Sequence, residues 1–106
     1  MERETFVELA TAALEELETG LAALEHDALD VELGGDVLTL AFDDGTRFVI
    51  NAHSAAGQVW MAADRNAWHF DYDDERQRWI AAKTGDELRS TVSRVVGAKL
   101  GVDVRL

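Results

Sequence analysis

The sequence predicts an α+β fold in which two helices pack on one face of an antiparallel β-sheet of five to seven strands. Helical periodicity marks both ends of the 106-residue chain, and period-two alternation fills the middle. The connections between the alternating segments are too short for parallel strands. Strands grouped between helices are typical of α+β domains. We expect one domain over residues 1–106, because a second core would have too little chain to bury itself.

The first helix is predicted over residues 4–24. One side carries apolar residues at steps of three and four: Phe6, Leu9, Ala10, Ala13, Leu17, Leu21 and Leu24. Glutamates gather on the opposite side, at positions 4, 8, 15, 18 and 25. Like charges three or four residues apart destabilise a helix, and acids near its C-terminus oppose the helix dipole. A helix that keeps such unfavourable charges is a candidate functional surface.

Five or six strands are predicted next, as an antiparallel meander. Leu29, Val31 and Leu33 alternate with Asp30 and Glu32, which indicates a half-buried strand with an acidic outer side. Turn sequences Gly34-Gly35-Asp36 and Asp43-Asp44-Gly45 separate it from the next two strands. The further segments are 37–42, 46–51, 58–63, 67–72 and 78–82.

A second helix is predicted after Thr84, which has Glu87 three residues later in the pattern of a capping box. Its apolar stripe consists of Leu88, Val92, Val95 and Val96, and Gly101 suits its C-terminal end. Residues 102–106 form a short tail, either a strand or a plug between the helices.

One face of the sheet is expected to meet water, because both helices cover the other. With Val59 and Met61 pointing inward, Gln58 and Trp60 point outward. The same phase places Asn51 and His69 on the outer face. An exposed tryptophan among polar neighbours is a common interface anchor. A register slip of one residue would bury Trp60 instead, whereas Trp79 is expected in the core.

Charge is distributed very unevenly. The chain holds 21 acidic and 10 basic residues, a net charge of −11. Residues 1–36 hold eleven acids and one base, so they account for −10 of it. Such a chain is expected to avoid nucleic acid and anionic membranes. Carboxylates on an open surface bind hard cations with micromolar or weaker affinity, and they also attract basic protein surfaces.

Several functional classes are disfavoured. There is no cysteine, no phosphate-binding glycine loop and no nucleophile elbow. His26, His53 and His69 lack the spacing of a metal cage and are expected to be surface or turn residues. We therefore predict no enzyme activity. No signal peptide or membrane span is predicted, and the lack of cysteine is compatible with a reducing compartment, so we expect a cytoplasmic protein.

The sequence resembles the frataxin family in its bacterial form, over essentially the whole chain. Asn51 followed after six residues by Gln58-Val59-Trp60 is the most specific part. The segments Val37–Gly45 and Trp68-His69-Phe70-Asp71, with Trp79-Ile80 after them, add to it. The loop between Asn51 and Gln58 lacks the family's usual proline, with Ala55 near that position. His53 replaces a common glutamine there, and acids expected elsewhere are replaced by Thr19, Ala22 and Ala28.

The resemblance implies that the protein modulates iron–sulfur cluster assembly, and it leaves open whether the protein also donates iron. It implies weak binding of Fe²⁺ and Fe³⁺ at a ridge formed by Glu15, Glu18, Glu25, Asp27, Asp30 and Glu32, with Glu4 and Glu8 as further candidates. It also implies docking on the cysteine desulfurase and the scaffold protein through Asn51, Gln58 and Trp60. A monomer is expected without iron.

Two alternatives remain open at this point. One is an acidic adaptor resembling secretion chaperones, which would bind a protein partner without metal. The other is a ferroxidase or iron-storage protein, and it ranks last because the sequence lacks a Glu-x-x-His motif.

Overall fold

Two α-helices flank six β-strands in the computed structural model, which describes residues 1–106. The helices are α1 (Arg3–Ala22) and α2 (Leu88–Leu100). The strands in chain order are β1 (Leu29–Gly34), β2 (Val37–Phe42), β3 (Arg47–His53), β4 (Gln58–Ala63), β5 (Asn66–Asp73) and β6 (Arg78–Ala81). Every strand pairs antiparallel with the next along the chain, which confirms the predicted meander. Neither helix has the length and apolar character needed to span a bilayer.

The core lies between the helices and the inner face of the sheet. It is one cluster of 22 buried residues, to which every strand from β2 to β6 contributes alternate side chains. Val59 and Met61 are buried, as their strand phase predicts. Trp79 is also buried, as expected, and its ring meets Phe6 of α1 edge to face at 5.7 Å. The inward side of each strand was therefore readable from its alternation.

The boundaries and the buried stripe of α1 differ slightly from the prediction. The helix covers residues 3–22, and Leu24 N–H donates to the Leu21 carbonyl in a tighter turn just beyond it. Leu14 is buried, although the predicted stripe omitted it, whereas Leu9 and Ala13 are only partly buried. Leu14 follows Ala10 by four residues, so it lies on the same face of the helix.

The predicted cap of α2 is wrong. Glu87 is the N-cap residue, and its carboxylate accepts hydrogen bonds from the backbone N–H groups of Arg89 at 2.7 Å and Ser90 at 3.0 Å. Thr84 lies three residues before Glu87 and outside the helix, where its hydroxyl accepts a hydrogen bond from the Asp86 N–H at 3.3 Å. The helix begins later because Asp86 and Glu87 still pair with β6. The Asp86 carbonyl accepts a hydrogen bond from the Ala81 N–H, and Glu87 forms an antiparallel bridge with Ile80.

The C-terminal tail packs between the helices, so the plug is observed and the strand is not. Gly101 ends α2 with a left-handed φ of 72°, as predicted. The tail then turns back, and the Leu106 N–H donates to the Ser93 hydroxyl at 3.1 Å. It passes so close to α2 that a Cβ at Gly97 would lie 2.8 Å from the Val102 carbonyl oxygen. Glycine at position 97 therefore makes room for the tail.

Candidate functional site

Six carboxylates form the surface that we call the acidic ridge: Glu15, Glu18, Glu25, Asp27, Asp30 and Glu32. The first pair lies on α1, the second on the connection to β1, and the third on β1 itself. Glu18 is half-buried and the other five are exposed. Because α1 packs against β1, one edge of the domain carries all three pairs. Glu4 and Glu8 are exposed nearer the start of α1.

The acidic ridge is not neutralised by the protein's own cations. The four ion pairs of the structure join Arg76 to Asp73, Arg89 to Glu16, Lys99 to Asp44 and Arg105 to Asp103. Of the eleven acids in residues 1–36, only Glu16 has a basic partner. No three acidic or histidine side chains converge as a preformed metal cage. The ridge is thus an open surface of unpaired carboxylates.

The outer face of the sheet carries the other predicted residues. Asn51 of β3, Trp60 of β4 and His69 of β5 are directly opposed across three neighbouring strands. The indole N–H of Trp60 donates to the Gln58 side-chain oxygen at 2.8 Å. The Gln58 amide in turn donates to Asp71 at 3.1 Å. The structure therefore brings Asn51, Gln58 and Trp60 together and fixes the orientation of the indole.

Trp60 points outward as predicted, but its side chain is half-buried. It lies between the imidazole rings of His53 and His69, with ring centroids 3.9 Å and 4.3 Å away and interplanar angles of 28° and 13°. Sequence reasoning treated both histidines as ordinary surface or turn residues and missed this stack. The alternation of β5 did place His69 outward, but the contact with His53 runs diagonally between strands and depends on side-chain rotamers.

Two members of the acidic ridge, Asp30 and Glu32 of β1, lie on the same face of the sheet as Trp60, whereas Glu15 and Glu18 belong to α1, which packs on the opposite face. Glu32 of β1 is opposite Thr39 of β2, and the next cross-strand partners in the same row are Val49 of β3 and Ala62 of β4. The neighbouring row of outward residues contains Trp60. Neighbouring strands are about 4.8 Å apart, so roughly 14 Å separates β1 from β4. A single protein partner can therefore contact both surfaces at once.

Most of both surfaces lies outside the concave regions of the molecule; the exception is Glu15, which lines a concavity beside Arg89 and Arg105. A large concave region lies between α1, α2 and the tail and is lined by residues such as Leu17, Leu88 and Leu106. It includes no residue of the acidic ridge and neither Gln58 nor Trp60. The arrangement suits ions or protein surfaces more than an enclosed small molecule.

The acids with clearly shifted pKa values lie outside the ridge. Lys99 donates to Asp44 at 2.6 Å, and the backbone N–H of Thr46 donates at 2.9 Å. Both bonds favour the ionised carboxylate and hold the pKa of Asp44 well below its usual range. Hydrogen bonds from Thr84 and the Trp68 indole lower the pKa of Asp86. Asp44 and Asp86 therefore form hydrogen bonds within the fold that favour their ionised carboxylates.

Known proteins share this fold and sequence pattern. The frataxin-like domain model matches residues 1–102. A protein of Ralstonia nicotianae named iron–sulfur cluster assembly protein CyaY is 41% identical over 105 residues, covering 95% of this chain and 90% of its own. A protein of the same name from Thioalkalivibrio sulfidiphilus is 41% identical over 85 residues, covering 77% of this chain and 79% of its own.

Solved structures agree. Frataxin from Psychromonas ingrahamii, described within the CyaY protein family, superposes with a TM-score of 0.89 at 28% identity, covering 99% of this chain and 97% of its own. Trimeric yeast frataxin complexed with ferrous iron superposes with a TM-score of 0.77 at 26% identity, covering 88% and 86%. The chain belongs to the frataxin family. Within that family, its relatives make it a frataxin of the bacterial CyaY type.

Proposed function

We propose that this protein serves iron–sulfur cluster assembly by binding iron weakly on the acidic ridge and by docking on the cysteine desulfurase and its scaffold protein. The single observation that carries this proposal is the set of ridge carboxylates without a basic partner, two of which, Asp30 and Glu32, share the outer face of the sheet with Trp60. Its relatives from Ralstonia and Thioalkalivibrio carry the name of iron–sulfur cluster assembly proteins. The yeast frataxin that was solved with ferrous iron supports iron as the ligand.

The carboxylates of the acidic ridge favour reversible binding of iron. Carboxylate oxygens suit hard cations, and an exposed site leaves several water molecules on the metal. Each bound cation also relieves repulsion between carboxylates that have no basic partner. We expect affinities in the micromolar range or weaker for both Fe²⁺ and Fe³⁺.

Docking would use both surfaces. The negative charge of the acidic ridge raises the association rate with a basic partner surface, and Asn51, Gln58 and Trp60 supply short-range contacts. This combination fits the desulfurase and scaffold as protein partners. Without iron the protein is expected to be a monomer, which size-exclusion chromatography with light scattering would check.

Binding, and not catalysis, is the proposed activity. The ridge carboxylates are largely exposed to water, and no cavity encloses them that would exclude solvent during a reaction. The secretion-chaperone alternative is not carried further, because membership of the frataxin family accounts for the same acidic surface.

A matched pair of variants tests the iron site. The first combines Glu18→Gln, Asp30→Asn and Glu32→Gln on the acidic ridge. The second combines Asp64→Asn, Asp74→Asn and Glu75→Gln, which are exposed carboxylates without an ion pair in other parts of the molecule. Both remove three negative charges, so they share the same net charge. Anaerobic titration with Fe²⁺, followed by NMR of backbone amides, measures the binding.

We expect the ridge variant to bind Fe²⁺ at least about tenfold more weakly, a loss of about 1.4 kcal/mol. The control variant is expected to stay within about twofold of the unchanged protein, because its charges are distant and screened. Signal changes should fall mainly within residues 15–32. Equal weakening in both variants would show that only net charge matters and would contradict a localised site.

Docking is tested separately with a purified desulfurase–scaffold complex. Affinity measured at 50 mM and 300 mM salt should fall clearly with salt, and the ridge variant should lose most of that dependence. Trp60→Ala should weaken binding at both salt concentrations, since a buried aromatic anchor contributes through contact. Binding that ignores salt, the ridge variant and Trp60→Ala alike would exclude this docking surface.

A further inference from the structure

The stack of His53, Trp60 and His69 covers both faces of the indole ring. One imidazole lies 3.9 Å from the indole centroid and the other 4.3 Å, both in stacked orientations. We call these rings the aromatic ladder. A partner that approaches the outer face of the sheet therefore meets ring edges and not an open aromatic face.

Backbone and side-chain contacts hold the aromatic ladder in place. His69 is directly opposite Trp60 in the β4–β5 pair. His53 is the last residue of β3, where its Nδ1 accepts a hydrogen bond from the Ala56 N–H at 3.1 Å. The Trp60 indole N–H is already donated to Gln58. Both faces and the one polar atom of the indole are thus occupied before any partner arrives.

This arrangement changes which contacts Trp60 can make. A basic partner drawn by the acidic ridge would ordinarily stack an arginine on an exposed indole, because the face of an aromatic ring attracts cations. Here neither face is available. The edge of an aromatic ring carries the positive end of its quadrupole and pairs with oxygen atoms or apolar groups.

We propose that His53 and His69 are positioning residues that clamp Trp60, and that the docking partner meets the edge of the aromatic ladder with apolar side chains and carbonyl oxygens. The partner's arginines are then left to the acidic ridge. This inference deepens the proposed docking function and rests on it. Its physical basis is preorganisation, since a side chain that is already fixed loses less entropy on binding.

If the partner meets the edge of the aromatic ladder, removing one imidazole ring should weaken docking. If the partner instead stacks on the indole face, the same change should strengthen docking. His69→Ala uncovers one indole face and removes no hydrogen bond that His69 makes in the structure. For His53, the variant His53→Asn removes the ring but offers an oxygen to the Ala56 N–H, so the turn keeps its acceptor. His69→Phe keeps a flat ring opposite Trp60 and serves as the matched control.

Two readouts are needed. In the free protein, NMR of the Trp60 indole N–H, assigned with Trp60→Phe, reports whether the indole stays fixed. With the purified desulfurase–scaffold complex, titration calorimetry reports affinity. We expect His69→Ala and His53→Asn to mobilise the indole and to weaken docking about 3- to 10-fold, the range for losing one ordered side chain. His69→Phe should stay within about twofold of the unchanged protein.

The following results would overturn either the clamp of Trp60 or the docking proposal on which it rests. Tighter docking by His69→Ala would show that the partner stacks on the indole face and would overturn the inference. Unchanged docking despite a mobile indole would overturn it too, and so would an indole that stays fixed without either histidine. If Trp60→Ala itself leaves docking unchanged, the proposed docking function fails, and that result is distinct from a failure of the clamp alone.

Discussion

Acidic residues have different roles in the two parts of this chain. In residues 37–106, Asp44 binds Lys99, Asp73 accepts from two backbone N–H groups of its turn, and Asp86 accepts from the Trp68 indole. Glu87 caps α2. In residues 1–36, only Glu16 has a basic partner. The same side-chain chemistry stabilises the fold at these four positions, whereas the eleven acids of residues 1–36 form a single ion pair.

The difference follows from where the cations are. Nine of the ten lysines and arginines lie in residues 37–106, and Arg3 is the exception. Because α2 carries Arg89, Arg94 and Lys99, it can bind acids of neighbouring elements. None of the six ridge carboxylates forms an ion pair with these residues. Unpaired carboxylates in one place are therefore a better indication of a binding surface than acidic composition alone.

The largest expected effect on stability in this comparison is at Glu87. Glu87→Ala removes the acceptor for two N–H groups at the start of α2 and should destabilise the fold by about 1 kcal/mol, within the usual 0.5–2 kcal/mol range for caps. Glu18→Ala on the ridge should change stability by less than about 0.5 kcal/mol. Urea unfolding followed by circular dichroism measures both. Equal losses would remove the distinction between the two groups of acids.

A smaller effect is expected at Asp44, which water partly screens. Its pKa is lower in the folded than in the unfolded chain. The carboxylate therefore stabilises the fold above the unfolded value of about 3.9 and loses this role as the pH falls through the folded value. Asp44→Asn should be less stable than the unchanged protein at pH 7, and the gap should narrow below about pH 4.

Asp43→Asn is the matched control for that experiment. Asp43 is the preceding residue of the same turn, it is exposed, and it has no ion pair. Urea midpoints at pH 7, 4 and 3 should show a pH-dependent gap for Asp44→Asn and none for Asp43→Asn. A gap at Asp44 that stays constant with pH would mean that the Lys99 contact is not its source.

The smallest expected effect compares two adjacent residues of α1. Glu16 binds Arg89 of α2, whereas Glu15 has no basic partner. Glu16→Gln should destabilise the fold by at most about 1 kcal/mol, since both side chains are at least half exposed. Glu15→Gln should be neutral or slightly stabilising, because it removes repulsion from Glu18. Thermal unfolding at low salt resolves the pair, and the same sign for both would contradict this reading.

Much of the fold was predictable because local alternation and turns were consistent. Val59 and Met61 faced inward and Trp60 outward, since a period of two leaves one choice once the core side is known. The start of α2 was not predictable in the same way. Thr84 and Glu87 match a capping box locally, but contacts with β6 delay the helix to Leu88. The assignment of iron to the ridge stays a prediction.

The sequence by itself determined the two helices, the strand order and the side of the sheet that Trp60 occupies, because these depend on periodicity and short connections. The tertiary structure decided which carboxylates have a basic partner. Glu15 and Glu16 are adjacent and identical in type, and only the position of Arg89 on α2 separates them. It also decided that His53 and His69 flank Trp60, since contacts between three strands depend on register, twist and rotamers together.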